Sequence, residues 1–445
     1  MRFDTIIVGG GLSGLSAALH LSRSGQRVAL IERKRFLGGR AATYDDHTFG
    51  LPVDNGQHLM MGCYEATIEY LRLTGALEKV SLQPTQDVMF VTGKGKKHRL
   101  YCPPLPAPLH LLAGYGGFSL LTIREKIALG RMLLSLVRSP STQQNRLRHM
   151  TIAEWFAELE QPLSLVEKFW DPLVASIMNA APHQLSAVVF YRTLRTIFLG
   201  HRQNSSLMFF KTDHQRTFVE PATKYLEHKG SFILNGKGLT SMKERSGSVK
   251  ALILDDGSEI SGENYIIALP EHEIRRVAGA EQLVSTWSEA RWDSSPIITV
   301  NLWFEEPISP LPIIGFVGAP VHWIFTRGEV QLPEGNTAHY VTAVLSAADT
   351  LIDATEQQLT NLVLREIVAR LGIKNPRPLR VKVMKEKRAT YILSPEVEAC
   401  RPGPITSVSN LFLAGDWTAT GFPATIEGAI LSGRSAARAI LHRLP

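Results

Sequence analysis

Cysteine is scarce. The 445 residues contain three, namely Cys63, Cys102 and Cys400, with no Cys-x-x-Cys pair and no Cys/His cluster. A metal site of structural zinc type and a disulfide framework are therefore not expected, and the count suits a reducing cytosol. Long apolar runs are also missing: no stretch approaches the roughly 20 residues that a spanning helix needs. The opening MRFDTIIVGGG breaks into glycines after a very short apolar run, which does not read as a secretory signal. Blocks of like charge are absent too. The 48 basic residues stand against 41 acidic ones, +7 in sum, and no five like charges adjoin. A solvated basic surface is the first reading, attraction to anionic lipid the second. Nucleic acid is not an expected partner, since no recognition module is visible. Internal repeats and low-complexity segments are lacking. The expected location is the cytoplasm, in solution or on the inner face of the membrane.

What is present begins at once. In FDTIIVGGGLSGLSAALHLSRSGQRVALIER, Thr5–Val8 reads as a buried strand, residues 12–24 as a helix and residues 27–31 as a second strand. Gly9, Gly11 and Gly14 make G-x-G-x-x-G between the first strand and the helix. The first permits the tight turn, the second lets backbone approach a pyrophosphate, and the third lets helix pack on strand. The first helical turn, with Leu12 and Ser13, then presents unpaired N–H groups and a partial positive charge to the phosphates. Glu32, followed by Arg33, ends the second strand, where an acid accepts from both ribose hydroxyls and disfavours a 2′-phosphate. The order strand, glycines, helix, strand, acid marks a dinucleotide site, without choosing between NAD and FAD.

Directly after it comes GGRAATY, where Gly39 and Arg40 offer pliant backbone and a cation beside the phosphates. VDNGQHLMMG follows, with Asp54, Gly56, Gln57 and His58. Near the other end, LFLAGDWTATGFPATIEGAILSGRSAARAI reads as strand, tight turn, loop and a helix of small residues.

The pairing of G-x-G-x-x-G with the downstream GGR resembles the FAD-dependent amine oxidase and carotenoid desaturase superfamily. The resemblance implies FAD, and an α/β fold in which a discontinuous Rossmann-type FAD-binding domain joins a mixed α+β substrate domain. It implies that the last strand and helix return to the first unit and close the flavin site. Gly415 and Asp416 would then stand by the pyrophosphate and ribitol, and Ala424, Thr425 and Ile426 would bring a helix N-terminus to the flavin ring, where its dipole favours negative charge. A three-stranded insertion within residues 230–270 would place a backbone contact to the adenine near Gly238. The implied FAD domain comprises 1–95, 215–275 and 390–445, and the substrate domain 96–214 and 276–389.

In the substrate half, residues 96–214 read as helical and apolar. Residues 276–389 carry expected strands at 297–304, 323–326 and 338–345 and a helix at 356–371. The stretch 103–140 is rich in Leu and carries Arg124, Lys126, Arg131 and Arg138. It reads either as a core helix pair with a basic outer face or as a patch that dips into one leaflet.

FWDPLVASIMNAAPHQLSA and NLFLAGDWTATGFPATIEGAILSG narrow the resemblance to the squalene-associated branch, the hydroxysqualene dehydroxylase family of bacterial hopanoid biosynthesis. That resemblance implies reduction: removal of the hydroxyl of hydroxysqualene, a long-chain isoprenoid, to give squalene and water. Such chemistry needs an acid near the hydroxyl, a dry apolar tunnel and the flavin face within reach. Asp54 and His58 are the catalytic candidates, His58 as proton donor and Asp54 as the anion that raises its pKa. Trp417 would wall the ring or simply pack. An external reductant for FAD and contact with prenyl synthases are further expected partners. An oxidative polyene desaturase, a flavin amine oxidase and a non-catalytic FAD-bound scaffold are the alternatives. Cys400, in EACRPGP, does not match the flavin-linking cysteine of some amine oxidases.

Overall fold

The computed structural model describes residues 3–46, 50–138 and 140–443. The outermost residues of the expected units 1–95 and 390–445, residues 47–49 of the first, and Ser139 of the basic stretch lie outside the described residues.

The N-terminal motif forms strand β1 (Phe3–Val8), helix α1 (Leu12–Arg23) and strand β2 (Val28–Glu32). Each begins or ends within a residue or two of where the apolar spacing places it. β1 lacks alternation because both its edges are paired in parallel, with β2 and with β4 (Gly262–Ile267) once the chain returns. A strand inside a parallel sheet has helices over both faces and no wet side. Before β4 comes β3 (Phe232–Asn235), and after it β5 (Leu411–Leu413). The sheet order is β3-β2-β1-β4-β5, with every pair parallel. One sheet thus draws its strands from both ends and the middle of the chain.

Helix α2 (Ile426–Leu441) follows β5 and lies against α1. Ser16 Oγ donates to the Ile430 carbonyl at 2.8 Å. A Cβ at Gly433 would stand 2.0 Å from the Ser13 carbonyl oxygen. The small residues of the C-terminal helix are therefore the condition for this close crossing.

Between β3 and β4, strands Leu239–Glu244, Val249–Leu254 and Glu259–Ile260 form the expected small antiparallel sheet. A second large sheet has seven strands, in the order Pro378–Tyr391, Ser294–Phe304, Thr337–Leu345, Trp323–Gln331, Ile313–Phe316, Asp87–Val91, Lys97–Tyr101. The boundary expected at residue 95 falls in the turn of the hairpin formed by its last two strands, so Asp87–Val91 goes with this sheet. Helix Glu356–Leu371 spans the expected residues and covers one face, Leu359, Val363 and Ile367 sharing a core with Val300 and Leu302. The helices between residues 109 and 199 pack around a largely apolar centre in which Trp155, Trp170, Phe190 and Tyr191 are buried and meet edge to face, with the Trp170 indole N–H donating to Gln161 Oε1 at 2.9 Å.

Candidate flavin site

The turn after β1 is built on close approach. Gly9 has φ +109°, a region that side chains avoid, and a Cβ there would lie 2.5 Å from the Ala268 carbonyl oxygen. A Cβ at Gly14 would lie 1.9 Å from the Gly9 carbonyl oxygen. Gly11 differs: an added Cβ would meet only Gly39 Cα, at 4.0 Å. Gly11 bridges to Gly38, and the Gly38 N–H donates to the Gly10 carbonyl at 2.9 Å. The two glycine turns thus meet at close range and form a narrow cradle at the start of α1, where a Cβ at Gly39 would stand 3.1 Å from Gly11 Cα. Gly11 caps that helix without a side-chain hydrogen bond, and its first turn holds no acid. Leu12 and Ser13 supply the first turn and are themselves buried. Unpaired N–H groups and the lack of an acid in the first helical turn fit a pyrophosphate.

Glu32 ends β2 beside the glycine turn. Its Oε2 accepts from Gly10 N–H at 2.7 Å and its Oε1 from Lys34 N–H at 2.8 Å. Arg33 turns outward to Glu273, at 3.2 Å. Gly238, expected at the adenine, has its N–H bonded to Asp255 Oδ2 at 2.9 Å and its carbonyl bonded to Asp255 N–H at 2.8 Å. Only a carbonyl lone pair remains there for a base, so the expected contact narrows to an acceptor.

The far end of the cradle is where the chain termini meet. Arg40 Nη2 contacts Asp416 Oδ1 at 2.5 Å, and Arg40 Nη1 donates to the Ala389 carbonyl at 2.9 Å. Burial works against the Arg40 charge, but Asp416, with Tyr391 and Glu386 adding to it, outweighs that and holds its pKa above the ordinary value. The Gly415 N–H is anchored to Ser432 Oγ on α2 at 2.9 Å. Ala424 and Ile426 are buried, and Thr425 caps α2 by accepting from Gly428 N–H at 3.2 Å. Glu427, in the first turn, does not serve its own helix. It accepts from Ala66 N–H and Thr67 N–H, both at 2.9 Å, and from Thr67 Oγ1 at 2.7 Å. It thereby caps helix Glu65–Leu73 and ties α2 to the N-terminal segment.

The expected coupling of Asp54 to His58 requires a correction. Asp54 is buried, and its Oδ1 accepts from Thr43 Oγ1 at 2.7 Å and from His214 N–H at 3.0 Å; its Oδ2 lies 3.4 Å from Arg327 Nη2. Burial disfavours its charge, yet His214 and Arg327 outweigh that and hold the carboxyl below its ordinary pKa. His58 makes its contacts elsewhere: its ring lies 4.9 Å from the His214 ring, centroid to centroid, and it bonds an Arg40 backbone group. Burial first, and the neighbouring His214 second, push the His58 pKa down to about 3. The expected lift from Asp54 exists but is outweighed, so His58 is a neutral imidazole near pH 7. Gln57 Nε2 donates to the His58 carbonyl at 2.9 Å, while its Oε1 accepts from Arg327 Nη1. Gly56 lies against Thr299 of the seven-stranded sheet, with room for little more than a Cβ.

Trp417 packs. It is fully buried between Trp287 and Trp292, and its indole N–H donates to the Leu269 carbonyl at 3.0 Å.

Three residues escaped the sequence reading. His214 is wholly buried, with Nδ1 3.5 Å from Asp54 Oδ1, and neither ring nitrogen closes a hydrogen bond. Nothing in FFKTDHQRTF advertises it. Arg327 joins the loop 54–58 to the strand Trp323–Gln331, and a lone cation after the apolar WIFT was a legible sign. Arg401 gathers the loop after β5, donating to the carbonyls of Asp416 at 3.1 Å, Trp417 at 3.1 Å, Phe422 at 3.0 Å and Thr418. Five donors on one planar group suit that task, but no local pattern announces it.

Comparison with known proteins places the whole chain among flavoproteins. A hydroxysqualene dehydroxylase from Sinorhizobium fredii is 28% identical over 441 residues, 97% of this chain and 96% of the relative. A 15-cis-phytoene desaturase from Solanum lycopersicum is 25% identical over 469 residues, 99% of this chain and 78% of the relative. The solved structure of an oxidoreductase from Methanosarcina mazei superposes with a TM-score of 0.73 over 100% of both chains at 14% identity. The family described as flavin containing amine oxidoreductase matches residues 12–441. The chain belongs to the flavin-containing amine oxidoreductase family and is an FAD-dependent oxidoreductase.

Proposed function

We propose that this protein reductively removes the hydroxyl group of hydroxysqualene, releasing squalene and water. The observation that carries this reading is the full-length likeness to the Sinorhizobium fredii hydroxysqualene dehydroxylase. Overall, an alcohol R–OH, two electrons and two protons give R–H and H₂O. When bound and reduced, FAD would supply the electrons as a hydride equivalent. The chain's own work is positional. Gly11, Gly39 and the first turn of α1 would hold the pyrophosphate, Glu32 the ribose, and Arg40 with Asp416 the stretch beyond. Thr425 fixes the helix end that would face the ring. His58 is proposed for the polar end of the substrate pocket; as a neutral imidazole its one N–H is engaged by the Arg40 backbone, so its other ring nitrogen is an acceptor there and would give a proton to the departing oxygen only after first taking one up. Asp54 acts from behind, through His214 and Arg327. The isoprenoid chain would lie in the apolar half of the molecule, where water is excluded. A separate reductant would reload the flavin, and a prenyl synthase making hydroxysqualene would supply substrate.

A second reading, oxidative desaturation of a polyene, is favoured by the likeness to the Solanum lycopersicum phytoene desaturase. Anaerobic incubation of the flavin-loaded protein with hydroxysqualene and a chemical reductant separates the two. Squalene in the extract supports dehydroxylation. New conjugated double bonds under oxidising conditions, with hydroxysqualene untouched, overturn it in favour of desaturation.

A further inference from the structure

Helices Leu109–Gly117 and Ile123–Val137 are apolar on two opposite faces. In the longer one, Ala128, Leu129, Met132 and Leu136 face the core. At 100° per residue, Ile123, Ile127, Leu134 and Val137 fall on a second stripe about 80° wide, and they are 78%, 59%, 66% and 59% exposed. In the shorter helix, His110, Leu111, Gly114 and Tyr115 are buried, while Leu109 and Leu112 are about half exposed. The two outer stripes adjoin, because Lys126 Nζ donates to the Gly116 carbonyl at 2.7 Å. A helix in water whose outer stripe is as apolar as its inner one has a partner there.

The charges around the stripe say which. Arg124 and Arg131 lie on one side of it and Lys126 on the other, with Arg138 at the end; Arg131 is paired with the exposed Glu160 at 2.6 Å, so Arg124, Lys126 and Arg138 carry the net positive charge of the rim. The one carboxylate of the longer helix, Glu125, is turned inward, 3% exposed, closing the Thr122 capping box and pairing with Lys168 at 2.7 Å. Among the described residues no helix is long and apolar enough to cross a membrane. Bulky apolar side chains, a basic rim and an acid withdrawn from the surface are the chemistry of a face that lies in a leaflet and meets phosphate groups.

We propose that the face formed by Leu109, Leu112, Ile123, Ile127, Leu134 and Val137 seats this protein on an anionic lipid surface, without crossing it. This goes beyond the proposed reaction and does not depend on it.

The test is flotation of the full-length, flavin-loaded protein with vesicles of phosphatidylcholine carrying about one part in three of phosphatidylglycerol. The native protein should float with these and far less with pure phosphatidylcholine. The double variant Ile127→Gln, Leu134→Gln should reduce flotation about tenfold, with its melting temperature unchanged because both positions are exposed. Arg124→Gln with Arg138→Gln should cut flotation on the anionic vesicles and leave the weak binding to neutral ones. No flotation of the native protein, flotation indifferent to the apolar variant, or a native dimer that the apolar variant splits while flotation persists would each overturn the proposal.

Discussion

Arg40 and Asp416 lie 376 positions apart in the chain, and their side chains meet at 2.5 Å. The contact joins the loop after β2 to the turn after β5, so both ends of the polypeptide close on one cradle. Asp416 is nearly buried and Arg40 is about one-third exposed. Removing one partner strands the other in a poorly solvated place; the cost of about 3–5 kcal/mol for a fully buried pair is reduced here because Arg40 is partly exposed. Arg40→Met and Asp416→Asn should each weaken flavin retention as well as lower the melting temperature. The flavin-to-protein ratio after gel filtration checks it; full retention in both variants would remove the pair from the cofactor site.

Gly433→Ala probes the crossing of α1 and α2. The new methyl would press on the Ser13 carbonyl, a backbone atom that cannot rotate away. Overpacking of this kind costs about 1–3 kcal/mol, and the displaced α1 start should lose flavin in parallel. A denaturant midpoint equal to that of the native protein would show that the helices part without penalty.

Glu427→Gln tests the tie between α2 and helix Glu65–Leu73. The amide keeps one acceptor oxygen in place of the two that serve Ala66 and Thr67. Losing charge-assisted hydrogen bonds in a buried place should lower stability by about 1.5–3 kcal/mol. Calorimetry of the two proteins side by side measures it.

Acid should destabilise the fold well before its carboxylates are protonated. Burial holds His20 at about 4 and His58 at about 3, against an ordinary value of 6.5. Below 6.5 the unfolded chain takes up protons that the folded chain refuses, so stability rises with pH through this window and is lost as pH falls from 6.5. Urea midpoints should drop between pH 7 and pH 5, and the slope should flatten in His20→Gln, which is remote from the cradle. An unchanged slope would mean that this imidazole is charged in the folded state.

Arg327 links the loop 54–58 to the substrate-side sheet without touching the glycine turns. Arg327→Met should leave flavin bound yet lower turnover at least tenfold, about 1.4 kcal/mol at the barrier. Squalene formation measured beside the flavin ratio separates this from simple unfolding; loss of flavin in step with activity would argue that Arg327 serves the cofactor instead.

Much of the frame was determined by the sequence alone. The first two strands, α1, the seven-stranded sheet's central strands and helix Glu356–Leu371 follow from apolar spacing bounded by Gly and by capping residues, all local rules. The glycine turn was equally legible, since the +109° φ of Gly9 and the approach of Gly14 to the Gly9 carbonyl are set within one loop, although the close contact of Gly9 with Ala268 is not. Only the tertiary structure decided that Trp417 packs, that Gly238 is bonded to Asp255, that Arg401 gathers the last loop, and that Asp54 reaches His214 and Arg327 instead of His58. The physical reason is distance in the chain. Asp54 and His58 are near neighbours in sequence, but burial first and the neighbouring His214 second set the imidazole's affinity for protons. A proton site is governed by what folds around it, and those groups come from segments that no local pattern connects.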